Sequence, residues 1–369
     1  MKDLVIIDRE IPQWKGNLHM HTDRSPDSEA PYLEVLEEYR RKGFHFCVVS
    51  DHEKYWDSTE ADTDSFLTLA GAESNIRINT ERPWTVDLRT GFMHINMIKD
   101  ETRECANPYQ HDEHLVRLID QGIDCTNEYI RYLVEERGQI VQMNHPDWSK
   151  MKPELLLATK HCFAFELYNH AAVANLGGQP DEWRWDYCLQ RGRRFLATAG
   201  DDCHHYGPEL TTCGGGYTMV CTPEFSRFGL VKALKNGSFY PTMGPRIYDM
   251  RIEGGVLKME FSDAVRAIII GYGHAPLPAG NHGGGFNAPP GEVINRLEWK
   301  IPETLHYFRV RIVGPDGRIA WSQPVFMDDL VEYPPFAERE VERARHWSNP
   351  RYLEEIKKQC QTDIAIPQE

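Results

Sequence analysis

No apolar run in the chain approaches the ~18 residues that a membrane span needs; the longest, such as CVVS after Phe46 and AIII before Gly271, are far shorter. The opening MKDLVIIDRE turns acidic too early for a secretory signal. None of the 9 cysteines stands in a CxxC pair, and a chain of 369 residues does not need disulfides for stability, so the thiols are read as reduced and the protein as cytoplasmic. Basic residues are in deficit, 41 Lys+Arg against 56 Asp+Glu for a net charge of −15, with no compensating basic patch. That balance argues against strong duplex nucleic-acid binding and against anionic membranes. Low-complexity tracts and internal repeats are absent as well. Hydrophobic and charged fractions of 41% and 26% exclude a disordered or fibrous chain. The length allows two or three domains.

Histidine is what the chain has in excess: 16 in all, 12 of them before residue 206. The same region alternates short β-rich runs with helical patterns, the mark of an α/β layer or barrel with parallel strands. Strands are expected at 15–19, 44–50, 66–71, 92–98, 139–144, 163–168 and 195–200. Tyr32, Leu33, Leu36 and Tyr39 recur at helical spacing, with Gly43 as the stop. Segments 127–137 and 181–191, followed by Gly138 and Gly192, repeat the order of helix, glycine, strand. From about Pro245 the pattern changes to half-buried alternation, clearest at 305–313, which predicts a small antiparallel β domain. Residues 273–291 read as a long loop, and 336–360 as a charged helical arm packed on the surface or on a second subunit, which leaves room for a homo-oligomer.

Metal-competent side chains stand at the carboxyl ends of nearly all the expected strands: His19 and His21, Asp51 and His52, Glu73, His145, and Asp202 and His204. In parallel α/β folds that face collects the chemistry, because its loops are free of packing duties. Alternate residues of extended backbone point the same way, so His19 and His21 can reach one ion. Glu73 is the candidate bridge between two cations. Asp51 is read as an orienting partner of His52, and Glu166 and Asn169 as lining of the same site. His111 and His114 are expected on a solvated surface, His282 in a flexible glycine-rich loop, and Trp183 and Trp185 in packing.

The ordered set NLHMHTDRSPDS, VVSDHE, GAES, MHINMI, NHPDW and AGDDCH resembles the motifs of the PHP (polymerase and histidinol phosphatase) superfamily over 14–205, and GYTMV with SFYPTMGPRI resembles its phosphoesterases that carry a C-terminal β domain. The resemblance implies a distorted seven-stranded β/α barrel followed by a small antiparallel β-sandwich-like domain. Together with the change of pattern near Pro245 and the charged final stretch, it gives an expected metal-dependent hydrolase domain at 1–245, a β-rich accessory domain at 246–330 and a helical arm at 331–369. It further implies two or three divalent ions: a first held by His19, His21, Glu73 and Asp202, a second by Asp27, His52 and the shared Glu73, and a third by His94, His145 and His204. Pro26 displaces the acid of the usual Ser-Asp-Gly, so Asp23 stands as an alternative to Asp27; Asp201, where the family has serine, is an alternative to Asp202.

Imidazole and carboxylate donors without thiolate suit zinc, manganese or iron. Two close cations lower the pKa of a shared water and neutralise phosphoryl charge, so the expected activity is hydrolysis of a small phosphorylated metabolite or nucleotide by a metal-bridging hydroxide. Glu73 and Asp202 would serve this centre, His205 or a metal-bound water would protonate the leaving group, and Arg24 and Lys54 would contact the phosphoryl oxygens. Two other readings are a phosphodiesterase or exonuclease on short nucleic acids, and a non-catalytic metal-dependent binding module.

Overall fold

The structure, a computed structural model, describes residues 1–77, 92–115, 122–207, 212–273, 284–303 and 305–331. The expected loop residue His282 and the expected arm beyond residue 331 lie outside the described residues. The first part of the chain forms β1 (Leu4–Ile7), β2 (Gln13–Asn17), α1 (Tyr32–Arg41), β3 (Phe46–Val48), β4 (Leu67–Leu69), β5 (Gly71–Arg77) and β6 (Phe92–Lys99). There follow α2 (Ile123–Glu135), β7 (Gln139–Met143), α3 (Pro153–Ala158), β8 (Cys162–Asn169), α4 (His170–Leu176), α5 (Glu182–Leu189) and β9 (Leu196–Gly200). Next come β10 (Tyr217–Cys221), α6 (Arg227–Asn236), β11 (Phe239–Thr242), β12 (Ile247–Glu253), β13 (Val256–Ala264) and β14 (Arg266–Gly273). The last elements are β15 (Gly284–Asn287), β16 (Ile294–Lys300), β17 (Leu305–Val313), β18 (Ile319–Trp321), β19 (Val325–Phe326) and α7 (Met327–Leu330).

A strand is present in each of the seven expected places, but the strands do not all run parallel. β2, β3 and β4 are parallel neighbours, as are β7, β8 and β9. β6, by contrast, lies antiparallel to both β5 and β7. Among the described residues no unbroken ladder closes a barrel: β2 to β4 belong to a ten-stranded sheet and β5 to β9 to a five-stranded one. The two sheets meet where a single run of chain bends between β4 and β5. Gly71 sits at that bend because a Cβ there would stand 2.5 Å from the Met97 carbonyl and 2.9 Å from Val48 Cγ1. At the other meeting point the Thr218 hydroxyl takes the place of a ladder, accepting from Ala199 N at 3.1 Å and donating to Ala199 O at 3.0 Å. Gln323, just after β18, adds to this, its Oε1 accepting from Ala197 N at 2.9 Å and its Nε2 donating to Ala197 O at 2.8 Å, so side chains join the sheets there and, among the described residues, no backbone ladder closes the ring.

Helix α1 buries Tyr32, Val35, Leu36 and Tyr39, a stripe at helical spacing; Leu33, expected inside, is exposed because it falls a quarter-turn off that stripe. Gly43, in the left-handed region at φ 74°, follows its last turn. In the last third, the inward residues of β12, β13 and β16 (Ile252, Leu257, Leu297) share one core with those of β14 and β17 (Ile269, Phe308, Val310). Two antiparallel layers packed in this way follow from the period-2 alternation of their strands. The expected division at 245/246 is crossed twice: β1 pairs with β12, and β18 joins β11 at Ala320 and Thr242. A buried latch adds to these links. Arg309 on β17, with 1% of its side chain exposed, donates to Asp186 at 2.9 and 2.7 Å and to Glu182 at 2.7 Å, both on α5.

Candidate metal centre

Four buried atoms have no hydrogen-bond partner and face one another: His19 Nε2, His21 Nε2, Glu73 Oε2 and Asp202 Oδ1. Each imidazole nitrogen lies 3.1–3.3 Å from both carboxylate oxygens. Donors held ~2.0–2.1 Å from a tetrahedral divalent cation stand about 3.3–3.4 Å apart, so the spacing fits an ion at their centre. Burying four such atoms without partners otherwise costs free energy with no return. The local backbone explains how they meet. Beyond β2 the chain stays extended, with His21 N donating to Cys203 O at 3.0 Å and Asp202 N donating to His19 O at 2.9 Å, so both rings point to one side. Asp202 itself adopts φ 52° and His145 φ 25°, left-handed turns after β9 and β7 that throw their side chains into the site.

Glu73, inside β5 rather than after a strand, is the hub. Its Oε2 is also 3.3 Å from His52 Nδ1, while Oε1 accepts from Asn144 Nδ2 at 2.7 Å and lies 3.1 Å from His94 Nδ1 and 3.3 Å from His145 Nε2. Asp27 Oδ2 stands 3.2 Å from His52 Nε2 and 3.3 Å from His204 Nε2. Two further groups could therefore hold an ion: His21, Asp27, His52 and His204, and His52, Glu73 and His94. This partition differs from the expected one. His204 is not brought to His94 and His145; the turn at Asp202 stacks its ring on His21, with centroids 4.0 Å apart, on the Asp27 side. Asp27, not Asp23, reaches the histidines, since Asp23 Oδ1 accepts instead from Tyr32 N at the start of α1.

The surrounding shell fixes these donors. His19 Nδ1 lies 3.1 and 3.2 Å from the two Glu166 oxygens, which holds the proton on Nδ1 and leaves Nε2 as the donor atom. Asn169 caps α4 through its Oδ1, accepting from Ala172 N at 2.9 Å, and with Nδ2 donates to Glu166 at 2.9 Å and Asp202 at 3.0 Å. Ser25 joins His21 Nδ1 at 3.2 Å to Asp27 at 2.7 Å. Asn144, Ser25 and Ser149, which hydrogen-bonds His145, are additions that only their places inside the motifs could have signalled. Asp51 does not orient His52; it accepts from Thr22 N and Thr22 Oγ1 at 2.6 and 2.8 Å and so braces the turn after His21.

Protonation follows from the same geometry. Burial raises the carboxyls of Glu73 and Asp202 and lowers the imidazole of His19, yet the mutual attraction wins: both acids fall well below their usual range and His19 rises well above its own. Burial likewise opposes the charge on His52 and His204, and their carboxylate neighbours raise both. His94 is lowered, by burial first. Asp201 is turned away from the centre: its carboxylate accepts from Gly214 N at 2.7 Å and Gly216 N at 2.8 Å, and burial pushes it up to about 7.

The donors open onto a cavity of about 890 Å³ whose wall includes Asp27, His52, His94, Trp148, Arg24 and Lys54. His205 is exposed and outside that wall, which removes the hydrogen-bond reach that a leaving-group acid needs. His114 lines the cavity mouth while remaining exposed, and His111 packs on Trp56. Trp185 is buried with Nε1 donating to Phe195 O, as packing requires, whereas Trp183 is exposed.

A strand-rich α/β chain with a buried centre of imidazoles and carboxylates is the class that fold and site define. No family model and no curated protein matches the chain. Among solved structures it is similar to a two-domain protein from Bacteroides vulgatus containing a predicted PHP-like metal-dependent phosphoesterase, at 14% identity and TM-score 0.42, covering 86% of this chain and 96% of that one. A second is a protein from Bifidobacterium adolescentis provisionally called a metal-dependent phosphoesterase, at 16% identity and TM-score 0.34, covering 55% and 93%. A third is an amidohydrolase from Chromobacterium violaceum, at 13% and 0.34, covering 53% and 89%. These likenesses are distant, and the case for the metal centre stands on its geometry.

Proposed function

We propose that the protein is a metal-dependent phosphoesterase acting on a small phosphorylated metabolite or nucleotide, with two or three divalent ions of zinc, manganese or iron. The carrying observation is the quartet of buried, unpartnered donor atoms on His19, His21, Glu73 and Asp202 beside a cavity of small-molecule size. Divalent cations in such a site lower the pKa of water and offset phosphoryl charge. The chain's own part is to aim the donors. Glu166 fixes the His19 tautomer, Asn169 holds Asp202, Asn144 holds Glu73, and Asp27 with His52, His94, His145 and His204 supplies the remaining donors. Arg24 and Lys54 give the cavity positive charge that the acidic chain otherwise lacks. Buried thiols at Cys47, Cys188 and Cys221, none of them in a disulfide, suit a reducing compartment such as the cytoplasm.

Phosphate release from sugar phosphates, nucleoside mono- and bisphosphates and histidinol phosphate, with Mn²⁺ or Zn²⁺ and with chelator as control, tests this reading. Metal-dependent turnover of one class is expected. Silence across the panel from metal-loaded protein would overturn the monoester reading and direct the search to diesters. His19→Ala is expected to lose bound metal and turnover together; retention of both would remove the site assignment.

A further inference from the structure

Two cations of the cavity wall, Arg24 and Lys54, are met by a side chain of the chain itself, Asp112. Arg24 lies with its guanidinium 3.3 Å over the Trp56 ring, and Trp56 is backed by His111 at 4.0 Å. Its side chain is 15% exposed, its Nε has no hydrogen-bond partner, and its Nη2 donates to Asp112. Lys54 Nζ lies 3.1 Å from the same Asp112 oxygen. Among the described residues Asp112 is the carboxylate paired with either cation, and it is half exposed. It stands in a left-handed turn at φ 62°, closed by Glu113 N donating to Gln110 O at 3.1 Å. The following residues are pinned: Tyr55 N donates to Glu113 O at 2.9 Å and Leu115 N to Glu53 O at 2.8 Å. The backbone thus holds a single carboxylate over two cations, while a rotamer change alone suffices to release it.

We infer that Asp112 stands in for an anionic group of the substrate, and that the substrate bears, besides its phosphoester, a second anion that displaces Asp112 from Arg24 and Lys54. A planar guanidinium with one monodentate partner and an unpartnered Nε is suited to a bidentate carboxylate or phosphate. Its stack on Trp56 keeps the fork in place when Asp112 leaves. This rests on the phosphoester reading for the placement of the first anion at the metals.

The test is titration calorimetry of metal-loaded protein with alkylphosphonates, which bind without turnover: propylphosphonate, with one anion, against α,ω-bisphosphonates and ω-carboxyalkylphosphonates of increasing chain length. Wild type is expected to prefer a two-anion probe, and Asp112→Asn to bind that probe about three- to tenfold tighter, since an exposed ion pair no longer competes. Arg24→Gln and Lys54→Gln are each expected to lose the preference, weakening the two-anion probes more than propylphosphonate. The bisphosphonate and carboxylate series separate a phosphate from a carboxylate as the second anion. Equal binding of two-anion probes by wild type and Asp112→Asn, with no selective loss in the Arg24 and Lys54 variants, overturns the inference. Selective effects in protein that releases no phosphate from any ester would uphold the anion site and count against hydrolysis alone.

Discussion

Glu73 is surrounded by five imidazoles and the Asn144 amide, and the residue-scale logic of the site is a division of its two oxygens. Oε2 faces His19, His21 and His52; Oε1 faces His94 and His145. A carboxylate so placed can serve two cations, one through each oxygen. Glu166 acts one step back, on His19 Nδ1. Glu166→Gln is therefore expected to weaken metal affinity by roughly 10- to 100-fold, the usual cost of losing an orienting carboxylate, with the fold intact by circular dichroism; unchanged affinity in a metal-buffer titration would contradict the assignment. The pairing of His19 with Glu166 spans 147 positions of sequence, and no local pattern announces a contact of that length. Several candidate donors were legible for the opposite reason, since HxH spacing and the carboxyl ends of strands are local facts, whereas Glu73 and His94 lie inside β5 and β6, and Asp27 and His94 were signalled only by the motif resemblance.

At the scale of elements, what sequence pattern conveyed was the presence of strands; their direction was expected to be parallel throughout, and β6 departs from that. A run such as 92–98 reads as buried β whichever way its neighbours point, so the antiparallel pairing of β6 was not visible in it. The left-handed turn at Asp202, which sends His204 toward Asp27, is equally silent in side-chain periodicity. The turn between β9 and β10 also carries the clearest pH dependence. With its folded-state pKa raised to about 7 by burial, Asp201 keeps its proton longer in the native state than in the unfolded chain. Its contribution to stability is thus full below the ordinary carboxyl range and is lost as pH rises through about 7. The shift from 3.8 corresponds to an upper limit of roughly 4 kcal/mol. In chelator-stripped protein, urea unfolding free energy should fall between about pH 4 and about pH 7 in wild type and stay flatter in Asp201→Ser. Identical pH profiles for the two proteins would show that the carboxyl is ionised in the native state.

On the scale of the whole molecule, the β-rich last third is tied through α5 to the part that carries the candidate metal donors. Arg309 reaches Glu182 and Asp186, Arg311 reaches Glu182, and Tyr307 donates to Asp186 at 3.0 Å. Trp185 on the same helix donates to Phe195 O, just ahead of β9, whose far end leads to Asp202. Removing one member of a buried ion network leaves its partners uncompensated, so Arg309→Ala is expected to cost about 3–5 kcal/mol of unfolding free energy. Denaturant titration checks this, and a loss within ~0.5 kcal/mol, the range of ordinary surface changes, would mean that the latch does not bind the two parts together. No helix among the described residues is long and apolar enough to cross a membrane.

The most direct measurement is the anomalous difference density of crystals loaded with Mn²⁺. A peak is expected bounded by His19 Nε2, His21 Nε2, Glu73 Oε2 and Asp202 Oδ1, with further density between Asp27, His52 and His204 or beside His94. Density only elsewhere, or none in the quartet with the four atoms bonded to one another or to water, would contradict it.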